Sequence, residues 1–194
     1  MIDFKYLIKE ALTNVGEIYY KQPTVKDGEF KYGERVFCYE LYHQLRCMQE
    51  RFKDLVISGE AVKSKFQSQD LENNKMPDML IHNFGMHENN EVIIEAKTDV
   101  RSVKKDIEKD FEILNTFTHS DSCFNYKLGI SLVVNHDLKE YLSEQKDKLD
   151  NIKSIIDKNP RIELWNIINP EFDRNGRLKM NSIKVYSVEE ILNF

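Results

Sequence analysis

Three ionisable residues in one short stretch could act together on a phosphoryl group. In "KMPDMLIHNFGMHENNEVIIEAKTD" (Lys75 to Asp99), Asp78 opens one apolar run, while Glu95 and Lys97 close the next. Sixteen residues lie between Asp78 and Glu95. The segment between the runs carries the turn formers Gly85, Asn89 and Asn90, so the two runs should pair as a β-hairpin. Side chains alternate faces along a strand, which sends Glu95 and Lys97 to one face and Ala96 to the other. If paired residue numbers add to an odd sum, Asp78 joins Glu95 and Lys97. A slip of one residue sends it to the opposite face.

The neighbours raise the cost of these charges. Leu80 and Ile93 share their face by parity, while Met79, Ile81, Val92 and Ile94 cover the other, the pattern of a central strand buried on both sides. A charge placed there needs a partner or a cation. Two nearby carboxylates repel, and a hard dication relieves the repulsion. Mg²⁺ takes one or two carboxylates and completes its shell with water and phosphate oxygens. A lysine two residues beyond a ligand can stabilise transition-state charge or assist deprotonation of the attacking water. The chemistry implied is metal-assisted hydrolysis of a phosphodiester.

Several elements must position these groups. Residues 3 to 20 space Phe4, Leu7, Ile8, Ala11, Leu12 and Val15 as a helix, and a loop through Pro23, Gly28 and Gly33 follows. A second helix from Glu34 to Lys53 carries the stripe Phe37, Leu41, Leu45, Met48 and Phe52. "LVISGEAVKSKF" begins a first strand interrupted or turned at Gly59, and the hairpin comes next. A helix over 102 to 117, with Ser102 as candidate cap, presents Val103, Ile107, Phe111 and Leu114 on one face. "YKLGISLVVN" reads as a buried strand, residues 138 to 156 as a helix, and "RIELWNII" as a further strand. The 194 residues suit a single α/β domain. Strands alternating with helices after an antiparallel start predict a mixed central sheet flanked by helices.

The Pro77-Asp78 pair followed by Glu95-Ala96-Lys97 resembles the PD-(D/E)xK nuclease superfamily, the restriction-endonuclease-like fold. That resemblance implies an αβββαβ core over about residues 34 to 135, with an extra N-terminal helix and C-terminal helix and strand additions. It implies that Asp78 and Glu95 ligate Mg²⁺, for which Mn²⁺ can substitute, with the Ala96 backbone carbonyl as a further ligand and Lys97 acting on the nucleophilic water. Many members add a glutamate from the first helix. Glu40 fits that position best, in the helical row Val36, Glu40, His43 and Cys47, with Glu34 the weaker candidate. "ISGEAVKS" resembles a first-strand segment of the superfamily, which would let Glu60 and Lys63 line the site. The implied substrate is nucleic acid, DNA first, in defence against or processing of foreign DNA. RNA would use every one of these residues equally well. A noncatalytic nucleic-acid-binding or protein-interaction module that keeps the nuclease fold is the alternative.

Composition narrows the partners. A net charge of −5 leaves no global basic footprint, so nucleic-acid contact must be local, metal-assisted or shared, for example in a homodimer. No apolar run approaches about 18 residues, and the first helix carries Asp3, Lys5, Lys9 and Glu10 among its apolar residues, as an amphipathic helix and not a signal peptide does, so a soluble cytoplasmic protein without membrane contact is expected. Cys38, Cys47 and Cys123 show no CxxC spacing and read as reduced, mostly buried thiols. His82, Asn83 and His87 lack the second ligand pair of a zinc site and read as strand and turn residues. Lys104, Lys105 and Lys109 alternate with Asp106, Glu108, Asp110 and Glu112 and read as a solvated, ion-paired face. Tyr19, Tyr20, Phe30, Tyr32, Phe37, Tyr39 and Tyr42 could stack bases, with packing as their default duty. No GxxxxGK[ST], GxGxxG or GxSxG is present, which leaves nucleotide-driven and serine-hydrolase chemistry without support.

Overall fold

The computed structural model describes residues 2–26, 28–59, 77–83 and 90–194. Asp3 caps α1 (Phe4–Asn14) by accepting the Tyr6 N–H, and Phe4, Leu7, Ile8, Ala11 and Leu12 form its buried stripe. The single helix expected over residues 3 to 20 is two. Val15 is extended and Gly16, a poor helix former, precedes the short α2 (Glu17–Tyr20). The expected loop contains a small hairpin of β1 (Gln22–Pro23) and β2 (Phe30–Lys31). Helix α3 (Glu34–Cys47) then buries Phe37, Leu41 and Leu45 and gives way to a 3-10 turn over Gln49–Phe52.

Three antiparallel strands follow: β3 (Val56–Gly59), β4 (Met79–His82) and β5 (Val92–Lys97). Helix α4 (Val100–Thr118) crosses over to β6 (Leu128–Val134), which pairs parallel to β5. Asp99, not Ser102, caps α4, its carboxylate accepting the Arg101 N–H at 3.2 Å and thereby starting the helix earlier than expected. The helical stretch after β6 is divided at Gln145 into α5 (Leu138–Glu144) and α6 (Lys146–Ile156), and leads to a parallel β7 (Ile162–Ile167). An antiparallel edge strand β8 (Ile183–Ser187) and α7 (Val188–Leu192) come last in the sheet's chain of elements.

The protein is thus α/β, with a six-stranded mixed sheet whose strand order β3-β4-β5-β6-β7-β8 is also the chain order. Its two faces carry separate apolar layers. Phe37, Leu41 and Leu45 of α3 and the stripe of α1 cover Ile81, Ile94, Ile130 and Trp165. Val103, Ile107, Phe111 and Leu114 of α4, with residues of α5 to α7, cover Leu80, Ile93, Val133 and Leu164. Strands β5 and β6 are buried at every position, as expected of strands between two helical layers. No helix among the described residues is long and apolar enough to cross a membrane. All three cysteines are free, but Cys47 and Cys123 are exposed, contrary to the expectation of burial.

Close approach of α4 to the sheet depends on Gly129 in β6. A Cβ there would meet Thr118 Cγ2 at 3.0 Å and Leu114 Cβ at 3.5 Å. Gly129→Val should therefore lower the unfolding free energy by about 1–3 kcal/mol through overpacking. Urea unfolding followed by circular dichroism checks this, and an unchanged midpoint would contradict so tight a contact.

Candidate active site at the end of the fifth strand

The β4–β5 register decides whether the acids meet. Met79 pairs with Ile94, Leu80 with Ile93 and Ile81 with Val92, so every pair adds to the same odd number. Asp78 immediately precedes β4, and continuing that register by one step turns it towards Glu95. Its Oδ2 accepts the Ala96 N–H at 2.8 Å, extending the ladder with a side chain where Pro77 precedes the strand. Glu95 and Lys97, on the α4 face of β5, are almost completely buried.

The Lys97 ammonium binds the cluster together. It lies 3.2 Å from Asp110 Oδ2 and 3.8 Å from Glu34 Oε1, and it donates to the Ala96 carbonyl at 3.1 Å. The Asp110 contact is a buried ion pair. Glu95 Oε1 is buried and has no hydrogen-bond partner among the described residues. On the α4 side, the single Ser102 hydroxyl proton is shared between the Asp99 carbonyl at 2.8 Å and Glu34 Oε2 at 3.3 Å. Glu34 begins α3 and Ser102 lies in the first turn of α4, so two helix N-termini, each favouring negative charge, meet at the site.

Four carboxyl groups, from Glu34, Asp78, Glu95 and Asp110, therefore surround one ammonium. Burial drives the Glu95 carboxyl well above its ordinary range, and the charges of Asp78 and Asp110 push it further, against Lys97. Burial pushes Asp110 up to about 7 despite the neighbouring ammonium. Glu34 is raised by burial too, with Lys97 opposing. Burial by itself would discharge Lys97, but Asp110, Glu34, Asp78 and Glu95 outweigh it and hold the ammonium above its usual value. At neutral pH Lys97 is accordingly a charge and a hydrogen-bond donor rather than a proton acceptor.

Of the residues singled out in the sequence, the structure brings together Asp78, Glu95 and Lys97. Glu40 accepts a 2.6 Å hydrogen bond from Gln44, and among the described contacts none joins it to the cluster. At 100° per residue, Glu34 falls within the Phe37, Leu41 and Leu45 stripe, whereas Glu40 lies about 100° from its middle, on the flank opposite Cys38 and Tyr42. The acid that α3 contributes is Glu34. Asp110 was misplaced on the solvated face of α4, where Lys104, Lys105 and Lys109 do lie exposed. Its position in the series Val103, Ile107, Asp110 and Leu114, at intervals of four, three and four, is the signal that puts it on the buried stripe. His43 is exposed, and His82 is a buried strand residue 2.9 Å from Ser58 Oγ. Glu60, Lys63, His87 and the turn formers Gly85 and Asn89 lie outside the described residues.

Among the described residues, no three of His, Cys, Asp and Glu already close on one metal ion. The donors are nonetheless hard oxygens, and Glu95 Oε1 is buried and unbonded next to the Asp78 side chain's anchor on Ala96. That set fits a dication of the Mg²⁺ type, which needs only one or two carboxylates from the protein. Compared with known proteins, the chain matches no family model, no curated protein and no solved structure.

The raised carboxyl pKa values set a direction for stability. Where the folded pKa lies above the unfolded one, the contribution is complete below the unfolded pKa and is lost as pH rises through the folded value. For Asp110 that window runs from 3.8 to about 7. Lys97, protonated in both states, adds no slope there. His136, whose pKa is lowered by burial, pulls the other way near pH 6.5. The informative quantity is thus the difference between native protein and Asp110→Asn. In metal-free buffer the native thermal midpoint should fall more steeply between pH 5 and pH 8 than that of Asp110→Asn, and parallel curves would contradict the assignment.

Proposed function

We propose that this protein is a metal-dependent nuclease that hydrolyses phosphodiester bonds, most readily tested on DNA, built on a restriction-endonuclease-like core of the PD-(D/E)xK type. The observation that carries the reading is the odd β4–β5 register, which turns Asp78 towards Glu95 with Lys97 on the same face. The order α3, β3, β4, β5, α4 and β6 supports the same core.

Asp78 and Glu95 hold the cation, with the Ala96 carbonyl beside them. Mg²⁺ in that position supplies Lewis-acid polarisation of a phosphoryl oxygen and of water. Lys97, kept protonated, neutralises charge that develops on the scissile phosphate and orients the attacking water by donating to it. Asp110 and Glu34 are positioning residues: they fix the ammonium from two sides. The N-termini of α3 and α4 add partial positive charge towards a bound phosphate.

One observation favours a second reading, a noncatalytic module on the same fold. Lys97 Nζ donates to the Ala96 carbonyl, taking the place where a cation would find that ligand. The two readings part on incubation of supercoiled, linear and single-stranded DNA and of RNA, with and without Mg²⁺. The nuclease reading expects Mg²⁺-dependent cleavage that falls by roughly 100-fold or more in Asp78→Ala, Glu95→Ala and Lys97→Ala. Glu34→Ala should lose activity and Glu40→Ala should keep it. Cleavage unchanged in Asp78→Ala and Lys97→Ala would remove the site assignment. Nucleic-acid binding without cleavage under any condition would establish the module.

Metal binding has its own readout. Millimolar Mn²⁺ should raise the native thermal midpoint, more at pH 8 than at pH 5 because ionised carboxylates bind metal. The shift should vanish in Glu95→Ala. No shift in the native protein at either pH would count against the metal site itself.

A further inference from the structure

Beside the carboxylates lies a cavity of about 400 Å³, within the range of small-molecule sites. Glu34 and Asp78 form the wall it shares with the candidate active site, and Arg35, Tyr39 and Tyr42 of α3 form another, with Gly59 of β3 between them. Tyr39 and Tyr42 are three residues apart on α3 and Arg35 is four before Tyr39, spacings that place all three on neighbouring parts of one helical flank.

Packing does not account for Tyr39. The tyrosines that serve the core, Tyr20 and Tyr126, have no exposed surface, whereas Tyr39 is 58% exposed. More exposed aromatic surface lies just before α3. Phe30 in β2 is 45% exposed, with Lys21 Nζ 4.0 Å from its ring centroid, and Tyr32 is 37% exposed. Aromatic rings interleaved with cations suit a strand of nucleic acid whose bases are unpaired, because base faces are hidden in a duplex and available for stacking in a single strand. A net charge of −5 gives the chain no global basic footprint with which to hold a duplex by its phosphates alone.

We propose that this cavity is a nucleobase subsite, which takes one unpaired base of a single-stranded nucleic acid against Tyr39 and Tyr42 while the adjoining phosphate is delivered to Asp78 and Glu95. The inference deepens the nuclease reading and rests on it for the fate of the phosphate. It makes the substrate a single strand, or a duplex end opened into single strands.

The test uses the full chain in Ca²⁺, so that binding is read apart from cleavage. The probe is a short oligodeoxynucleotide carrying 2-aminopurine, offered single-stranded and annealed to its complement. Stacking should quench the fluorescence of the single strand, which should bind roughly tenfold or more tightly than the duplex. Tyr39→Leu should lose the quench and weaken single-strand binding by roughly tenfold, while Tyr39→Phe, which keeps the ring, should restore both. Tyr39 is exposed, so the thermal midpoint of both variants should match the native one, which separates lost stacking from lost folding. Equal affinity for the two forms, or native binding by Tyr39→Leu, overturns the subsite. Cleavage in Mg²⁺ distinguishes this from failure of the nuclease reading. Asp78-dependent cleavage without strand preference leaves that reading standing and removes the subsite. Tyr39-dependent binding with no cleavage keeps a base-binding subsite and removes the nuclease.

Discussion

A buried ammonium is expensive unless acids surround it, and the position of Lys97 at the end of β5 makes that demand on two layers of the molecule at once. Glu34 comes from α3, which packs on one face of the sheet, and Asp110 from α4, which packs on the other. The two helices are therefore joined through one side chain at the rim of the sheet. The Ser102 hydroxyl, between Asp99 and Glu34, adds a second link between them. Removing either acid would leave part of a buried charge uncompensated, which typically costs more than the intact pair ever contributes to stability.

The same arrangement leaves more acid than base. Burial above all raises the proton affinity of Glu34, Glu95 and Asp110, and the neighbouring carboxylates add to it, against the single ammonium. Protons relieve that excess of negative charge at low pH. A divalent cation would relieve it at neutral pH, which is the physical basis of the proposed metal-dependent function. The Glu95 oxygen without a hydrogen-bond partner among the described residues is consistent with that proposal, since buried carboxylate oxygens are ordinarily satisfied.

How much of this was legible beforehand differs from residue to residue. The strand pair β4–β5 could be read from its apolar runs, and the shared face of Glu95 and Lys97 from parity alone. Its register could only be posed as a condition, because the turn spans residues whose spacing admits more than one pairing. Glu34 continues the row Phe37, Leu41 and Leu45 at intervals of three, four and four, whereas Glu40 lies about 100° from the middle of that stripe, so the spacing alone already favours Glu34. Asp110 was readable in principle from the spacing of Val103, Ile107 and Leu114, but the surrounding lysines and acids masked it as one more surface charge.

By itself, the sequence determined the alternation of helices and strands, the two-sided burial of β5 and β6, and the side-by-side placement of Glu95 and Lys97. These follow from local periodicities of 3.6 and 2, which act over a few residues and leave their mark on the order of residue types. The tertiary structure alone settled the strand register that turns Asp78 towards Glu95, and which partners Glu34 and Asp110 meet around Lys97. Those outcomes depend on packing between residues far apart in the chain: a local pattern can put a residue on a buried stripe but does not name the side chain it meets there.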